Sequence, residues 1–224
     1  GDALQKAGGK MYLKFIRAIQ KIALANVPEQ ERDYLSELTE IAAARRPDYM
    51  KGVKQPQGPG IDWTVELLMS AYEKNYKNAN FESGKNMFKA SLCISCHSMN
   101  AEGGSSGPEL TQIGSRFSVG AIGEAIINPS GTISDRYQYS NYHMEDGSVI
   151  TGIEMNEDEK NIEVSISAFA SDVTVNVRKD RLENVELSKI SSMPAGLVNR
   201  LNEQEITDLI MYMLSGGNQN NMKK

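Results

Sequence analysis

Cysteine and histidine are scarce in this chain of 224 residues, which holds two of each: Cys93, Cys96, His97 and His143. That excludes a disulfide framework, and two cysteines three positions apart in a helical pattern are poorly placed even for a single bridge. A structural zinc site is disfavoured for a similar reason, because beyond the Cys93–His97 segment His143 is the only other histidine and no cysteine is left. No run of about 18 apolar residues occurs, so no segment reads as a membrane-spanning helix. The net charge is −5, and no lysine or arginine stripe dominates a face, which argues against nucleic-acid binding. The start, Gly1-Asp2-Ala3-Leu4-Gln5-Lys6, lacks the apolar core and cleavage site of a signal peptide; that says nothing about compartment.

What is present is an ordinary globular composition, 40% hydrophobic, in a chain long enough for two domains. Residues 1–26 read as an amphipathic helix, with Leu4, Met11, Phe15, Ile19 and Ile22 at three- and four-residue steps. A second helix, with Leu35, Leu38 and Ile41, ends by Pro47. A Pro/Gly-rich linker runs to Gly60, and a third helix starts at Thr64. Asn80 is placed to cap a helix in which Phe81, Gly84, Phe88 and Leu92 share a face and which runs into Cys93. Between Asp135 and Leu187 the period becomes two: Tyr137, Tyr139, Asn141 and His143, then the turn Glu145-Asp146-Gly147, then three further alternating runs. This predicts a small antiparallel sheet of about four or five strands. Asn202 and Glu205 have capping-box spacing at the start of a last helix carrying Ile206, Leu209, Ile210 and Met213.

The chemistry sits in Cys93-Ile94-Ser95-Cys96-His97, the Cys-x-x-Cys-His signature of covalent haem attachment. On one helical turn, positions i, i+3 and i+4 face the same way, so both sulfurs and the imidazole meet one flat ligand. The thiols add to the two vinyl groups, and His97 reaches the iron from one side. A dithiol redox motif would need a thioredoxin-like strand–helix context that is missing here. An electron carrier wants a sixth iron ligand, and methionine sulfur is suited to it. Among eleven methionines, Met99 is too close to His97, and Met69, Met87, Met211 and Met213 lie on helical stripes. Met193 stands apart, in the irregular Ser191-Ser192-Met193-Pro194-Ala195-Gly196, where the proline stiffens the loop. His143 is the rival ligand, and its alternative reading is an alternating strand residue.

The helix with Gly84 and Phe88 leading into the motif, and the terminal helix with Tyr212, together resemble class I cytochrome c. Gly107-Pro108-Glu109-Leu110 resembles that family's Gly-Pro-x-Leu. The resemblance implies that the Pro108 carbonyl accepts the Nδ1–H of His97 and fixes its tautomer. A longer likeness covers roughly residues 62–217. It includes Gly103-Gly104-x-x-Gly107-Pro108-x-Leu110, Ile127-Asn128-Pro129-Ser130, Asp146-Gly147-x-x-x-Thr151-Gly152 and Ser188-Lys189-x-Ser191-x-Met193-Pro194-x-Gly196-Leu197. This is similar to the haem-binding domain of the Pirellula/Verrucomicrobium type, often the C-terminal part of large extracytoplasmic proteins. The resemblance implies Met193 as distal ligand, the strand region as an insertion, residues 1–60 as the end of an upstream helical region, and a periplasmic or otherwise extracytoplasmic site. Arg116, beside Phe117, is a candidate for neutralising a haem propionate; a solvated arginine beside a core phenylalanine is the alternative.

The expected fold is mainly α: a class I cytochrome c fold interrupted by a small antiparallel β insertion and preceded by an N-terminal helical region. Its boundaries are residues 1–79 for the helical region and linker, 80–134 and 187–217 for the two parts of the cytochrome, 135–186 for the insertion and 218–224 for a flexible tail. The expected cofactor is one covalently bound haem c with iron. The expected function is electron transfer, without catalysis, from an extracytoplasmic dehydrogenase to a respiratory acceptor. A negative surface mildly favours basic redox partners. The competing readings are a haem enzyme or gas sensor with an open distal site, and an interaction module in which the sheet binds a partner.

Overall fold

The computed structural model describes residues 52–168 and 173–222. The two helices expected before residue 47 lie outside them. The chain divides into two compact units, Gly1–Gln55 and Pro56–Lys224, and the second holds the attachment motif and nearly all the described residues.

The helical part of this second unit is built around the terminal helix. Helix α1 (Val65–Asn75) starts where the Thr64 side chain accepts from the Leu67 amide, and it buries Leu68 and Ala71. Helix α2 (Phe81–Ala90) is capped by Asn80, whose side chain accepts from Ser83, and it buries Gly84, Met87 and Phe88. The single turn α3 (Cys93–Cys96) comes next. A two-residue ribbon pairs β1 (Ser98–Met99) with β2 (Glu102–Gly103). Then come α4 (Ile113–Arg116) and α5 (Val119–Ile127). Helix α6 (Glu203–Leu214) has the reciprocal Asn202–Glu205 capping box and buries every residue from Glu205 to Met213. A helix buried all round belongs at the centre of its layer.

Two carboxylates on α6 fasten other segments to it. Glu205 accepts from the main-chain amide of Gln57 at 2.5 Å, and Asp208 from that of Asn80 at 2.9 Å. Both are buried, and such charge-assisted bonds offset the cost of desolvating them. Trp63 is buried too, and its indole N–H donates to the Leu201 carbonyl at 3.2 Å, a packing role. The hydroxyl of Thr207 on α6 donates to Ala71 on α1 at 3.2 Å, so α1 is part of this helical core.

The remaining strands, β3 (Ser140–Met144), β4 (Val149–Glu157), β5 (Asn161–Ser165), β6 (Thr174–Arg178) and β7 (Leu182–Leu187), form a five-stranded sheet in the order β6-β5-β4-β3-β7. All its pairings are antiparallel. The last strand thus returns to the free side of the first. Tyr142, Ile162, Val164 and Val177 form one buried cluster, with Met144, Ile150, Val175 and Leu182 packed on it. Edge strands β6 and β7 both feed that cluster, so the sheet curls around a core of its own.

This corrects the expected fold class. With a five-stranded antiparallel sheet beside its helices, the protein is not plainly mainly α. The physical reason is the sheet's separate core: alternating residues between 140 and 187 bury against each other, independently of the helices.

Candidate functional site

The attachment turn is reached through a break. The sequence pattern predicts a helix running straight into Cys93, but α2 ends at Ala90 and Leu92 takes a left-handed conformation with φ 64°. A non-glycine residue there is uncommon and marks a sharp redirection of the chain. The Ser95 amide then bonds back to Leu92 at 3.0 Å, and the His97 amide to Cys93 at 2.9 Å, closing one turn. The loop after it wraps this turn through main-chain bonds. Gly104 donates to Ile94 at 2.9 Å, Gly107 to Cys96 at 2.8 Å and Leu110 to Ser98 at 2.9 Å.

Cys93 and Cys96 are each half-buried. Burial, first of all, pushes the Cys93 thiol up to about 12; the main-chain hydrogen bond works against it, and the neighbouring Cys96 adds to it. Among the described residues, no group of three or more His, Cys, Asp and Glu is placed to hold a metal ion. The Cys96 sulfur lies 3.6 Å from the carbonyl of Ala168, beyond β5, and the Ser106 hydroxyl donates to that same carbonyl. The segment that follows β5 therefore reaches the attachment turn.

His97 Nδ1 lies 2.8 Å from the Pro108 carbonyl. Burial lowers the basicity of His97, with the Pro108 contact opposing, so the neutral ring is favoured. In that form Nδ1–H donates to Pro108 and the Nε2 lone pair is left for a metal. Gly107 makes the contact possible: a β-carbon there would sit 2.7 Å from His97 Cε1 and 2.8 Å from Nδ1.

His97 and Pro108 are thus in direct contact, whereas Met193 and Arg116 stand on elements of their own. Met193 is half-buried, and its amide donates to the Ser191 hydroxyl at 3.1 Å. Arg116 is exposed at the end of α4, its guanidinium 5.7 Å from the centre of the Phe117 ring. Phe117 is itself 50% exposed, so it is no core phenylalanine. His143 lies in β3 with Nε2 3.3 Å from a Glu186 carboxylate oxygen on β7, a cross-strand pair within the sheet.

The three tyrosines of the insertion separate. Tyr142 is 1% exposed in the sheet core, and Tyr137 stacks under Arg136 at 5.9 Å. Tyr139 immediately precedes β3, and its carbonyl accepts from the Ser188 amide at 2.8 Å. Burial, then the nearby Cys96, hold its phenol above the usual range, while a hydrogen bond with the Ser192 side chain works the other way. Sequence reasoning missed Ser106 and Gln138 as contributors here, since isolated polar residues carry no spacing signal.

Comparison with known proteins matches residues 81–161 to the cytochrome c family. The matched segment runs from the start of α2 through the attachment turn and Pro108 into the sheet; Met193 lies beyond it. No curated protein matches the chain. The family match supports a c-type cytochrome domain engaged in haem-based electron transfer. Its cofactor is covalently bound haem c with iron, for which Cys93 and Cys96 provide the attachment spacing.

Proposed function

We propose that this is a mono-haem c-type cytochrome in which Cys93 and Cys96 form the thioethers and His97 and Met193 are the axial iron ligands. It passes electrons from an extracytoplasmic dehydrogenase to a respiratory acceptor. The observation that carries the reading is the 2.8 Å contact of His97 Nδ1 with the Pro108 carbonyl, which engages that nitrogen and leaves Nε2 as the one available to iron.

Bound haem c supplies an iron that takes up and releases one electron. The chain's own residues do the rest. The single turn of α3 presents two sulfurs and an imidazole together. Pro108 holds the imidazole in the neutral tautomer and raises its donor strength. Thioether sulfur from Met193 would complete the coordination, raising the potential and closing the site to oxygen. Arg116, exposed beside Phe117, is available to pair with a propionate.

The finer identification, a haem-binding domain of the Pirellula/Verrucomicrobium type within a larger extracytoplasmic protein, is part of this proposal. Its support is the ordered set of motifs across residues 62–217. Among the described residues no helix is long and apolar enough to cross a membrane. A second reading, a haem-containing interaction or sensor module, draws on the approach of Ala168, in the segment that follows β5, to Cys96 of the attachment turn.

Spectra of the ferric and ferrous protein, wild type against Met193→Ala and Met193→His, decide between them. Electron transfer predicts a low-spin wild type with a sulfur-to-iron charge-transfer band that both variants lose. Rapid carbon monoxide binding by the ferrous wild type would instead favour the sensor.

A further inference from the structure

The loop that carries Met193 leaves β7 at Leu187 and is held at two points by the stretch of chain that joins α5 to β3. At its start, the Ser188 amide donates to the Tyr139 carbonyl at 2.8 Å, and the Gln138 side-chain amide donates to the Ser188 carbonyl at 2.5 Å. Ser188 is buried, and its hydroxyl accepts from the Ile190 amide at 3.2 Å and donates to the Ile190 carbonyl at 3.0 Å. Nearer the methionine, the Ser191 amide donates to the Ser130 hydroxyl at 3.0 Å. The Ser191 hydroxyl in turn accepts from the Met193 amide at 3.1 Å. Both outside groups stand on fixed backbone. Ser130 follows the buried Pro129 in a turn closed by the Gly131 amide on the Asn128 carbonyl at 2.8 Å, and the Asn128 side chain donates to Glu124 on α5 at 2.9 Å. Gln138 ends the short turn Asp135–Tyr137, its amide donating to the Asp135 carbonyl at 3.3 Å.

Bonds between neighbours inside the loop set its shape, whereas bonds to the connection between α5 and β3 set its place relative to the helices. The geometry points to Ser130 and Gln138 as positioning residues for Met193: one through Ser191 and the other through Ser188, they seat the ligand loop and so set how readily the methionine sulfur is displaced. The inference rests on the reading of Met193 as an axial ligand. It adds that two side chains outside the loop, more than fifty positions before the methionine, govern the strength of that ligation. Neither touches haem or iron in this role. Each limits the excursions of a loop whose own bonds are short-range.

The test is equilibrium binding of imidazole, which must displace methionine, to the ferric holoprotein. Wild type, Gln138→Glu, Ser130→Ala and Ser130→Thr are compared, with Met193→Ala as reference. Gln138→Glu keeps the length of the side chain but replaces its donor by an acceptor, which cannot bond to the Ser188 carbonyl. Ser130→Ala removes the acceptor of the Ser191 amide, and Ser130→Thr retains it. Losing either hydrogen bond is expected to tighten imidazole binding by roughly two- to tenfold. The sulfur-to-iron band should weaken in parallel, and Ser130→Thr should match wild type in both respects. Unchanged imidazole affinity in Gln138→Glu or in Ser130→Ala overturns the proposal even where Met193→Ala behaves as a ligand loss. A fall in melting temperature with affinity and band unmoved marks the two residues as structural only and overturns it too. So does a Ser130→Thr protein that behaves like Ser130→Ala, because the hydroxyl is then not the group that acts. If Met193→Ala keeps the sulfur band and its imidazole affinity, the axial reading itself has failed and this inference falls with it. Ser130→Ala trims an exposed side chain, and it keeps the test decisive should Gln138→Glu fold poorly.

Discussion

Gly84 on α2 packs so closely against Asp208 on α6 that a β-carbon at Gly84 would lie 2.1 Å from the Asp208 main-chain oxygen. It would also come within 2.7 Å of the Tyr212 β-carbon. This contact sets the separation of the two helices, and the rings of Phe81 and Phe88 then close on Tyr212 at 5.2 and 5.6 Å between centroids. Since the nearest opposing atoms are backbone, the helices must part to admit a methyl group. Gly84→Ala is expected to destabilise the holoprotein by about 1–3 kcal/mol, the usual cost of overpacking a core. Denaturant unfolding followed by circular dichroism checks this; an unchanged midpoint would show that the crossing has room for the methyl group.

Replacing either attachment cysteine separates covalent from non-covalent haem binding. Cys93→Ser and Cys96→Ser should each retain one thioether, so haem stays with the polypeptide in acidified acetone and in the intact mass. The double replacement should release haem completely to the solvent phase. Retention of haem mass by the double variant would mean attachment elsewhere in the chain.

His143 offers a control on the axial ligand. Its ring faces the Glu186 carboxylate on a neighbouring strand, with the two side chains 36% and 58% exposed. An exposed pair of this kind contributes less than about 1 kcal/mol. His143→Ala should therefore leave the ferric and ferrous spectra superimposable on wild type and barely move the melting temperature. Loss of the low-spin spectrum in this variant would transfer the distal role from Met193 to His143.

Glu102 on β2 is held below the usual carboxylate range, chiefly by its hydrogen bond from Lys89, with burial opposing and Lys85 assisting. A carboxylate whose folded-state value is depressed contributes stability that is present above its unfolded value and lost as pH falls through the folded one. The melting temperature should accordingly decline as pH drops below the ordinary value of 4.5. Glu102→Gln should flatten that part of the profile, with little change near neutrality beyond loss of the ion pairs to Lys85 and Lys89 at 3.3 and 2.8 Å. Superimposable profiles for variant and wild type would remove Glu102 from the acid response. Because this group is partly exposed, added salt should shrink the difference.

Much of the attachment site is local and therefore readable along the chain. Cys93, Cys96 and His97 fall on one turn through spacing alone, and the caps at Asn80 and Asn202 involve residues three positions apart. The alternation from Ser140 to Leu187 announces strands because each strand's period is a property of its own backbone. Other features carry no such signal. The left-handed Leu92 breaks a helix whose apolar spacing continues across it, so periodicity overshoots the boundary. The return of β7 to β3 pairs residues far apart along the chain, as in His143 with Asn184. The fold class was misjudged for the same reason, since the self-contained core joining Tyr142 to Val177 exists only once the sheet has curled.

By itself the sequence determined the chemistry, two thiols and an imidazole on a single helical turn, because that arrangement depends only on helical pitch. It also determined where strands replace helices, through the change of period. Tertiary structure alone decided which carbonyl receives His97, how near Ala168 comes to Cys96, and that the Ser188 amide bonds to the Tyr139 carbonyl. Those relationships join residues distant along the chain. They depend on how packed elements close on one another, which no local pattern records.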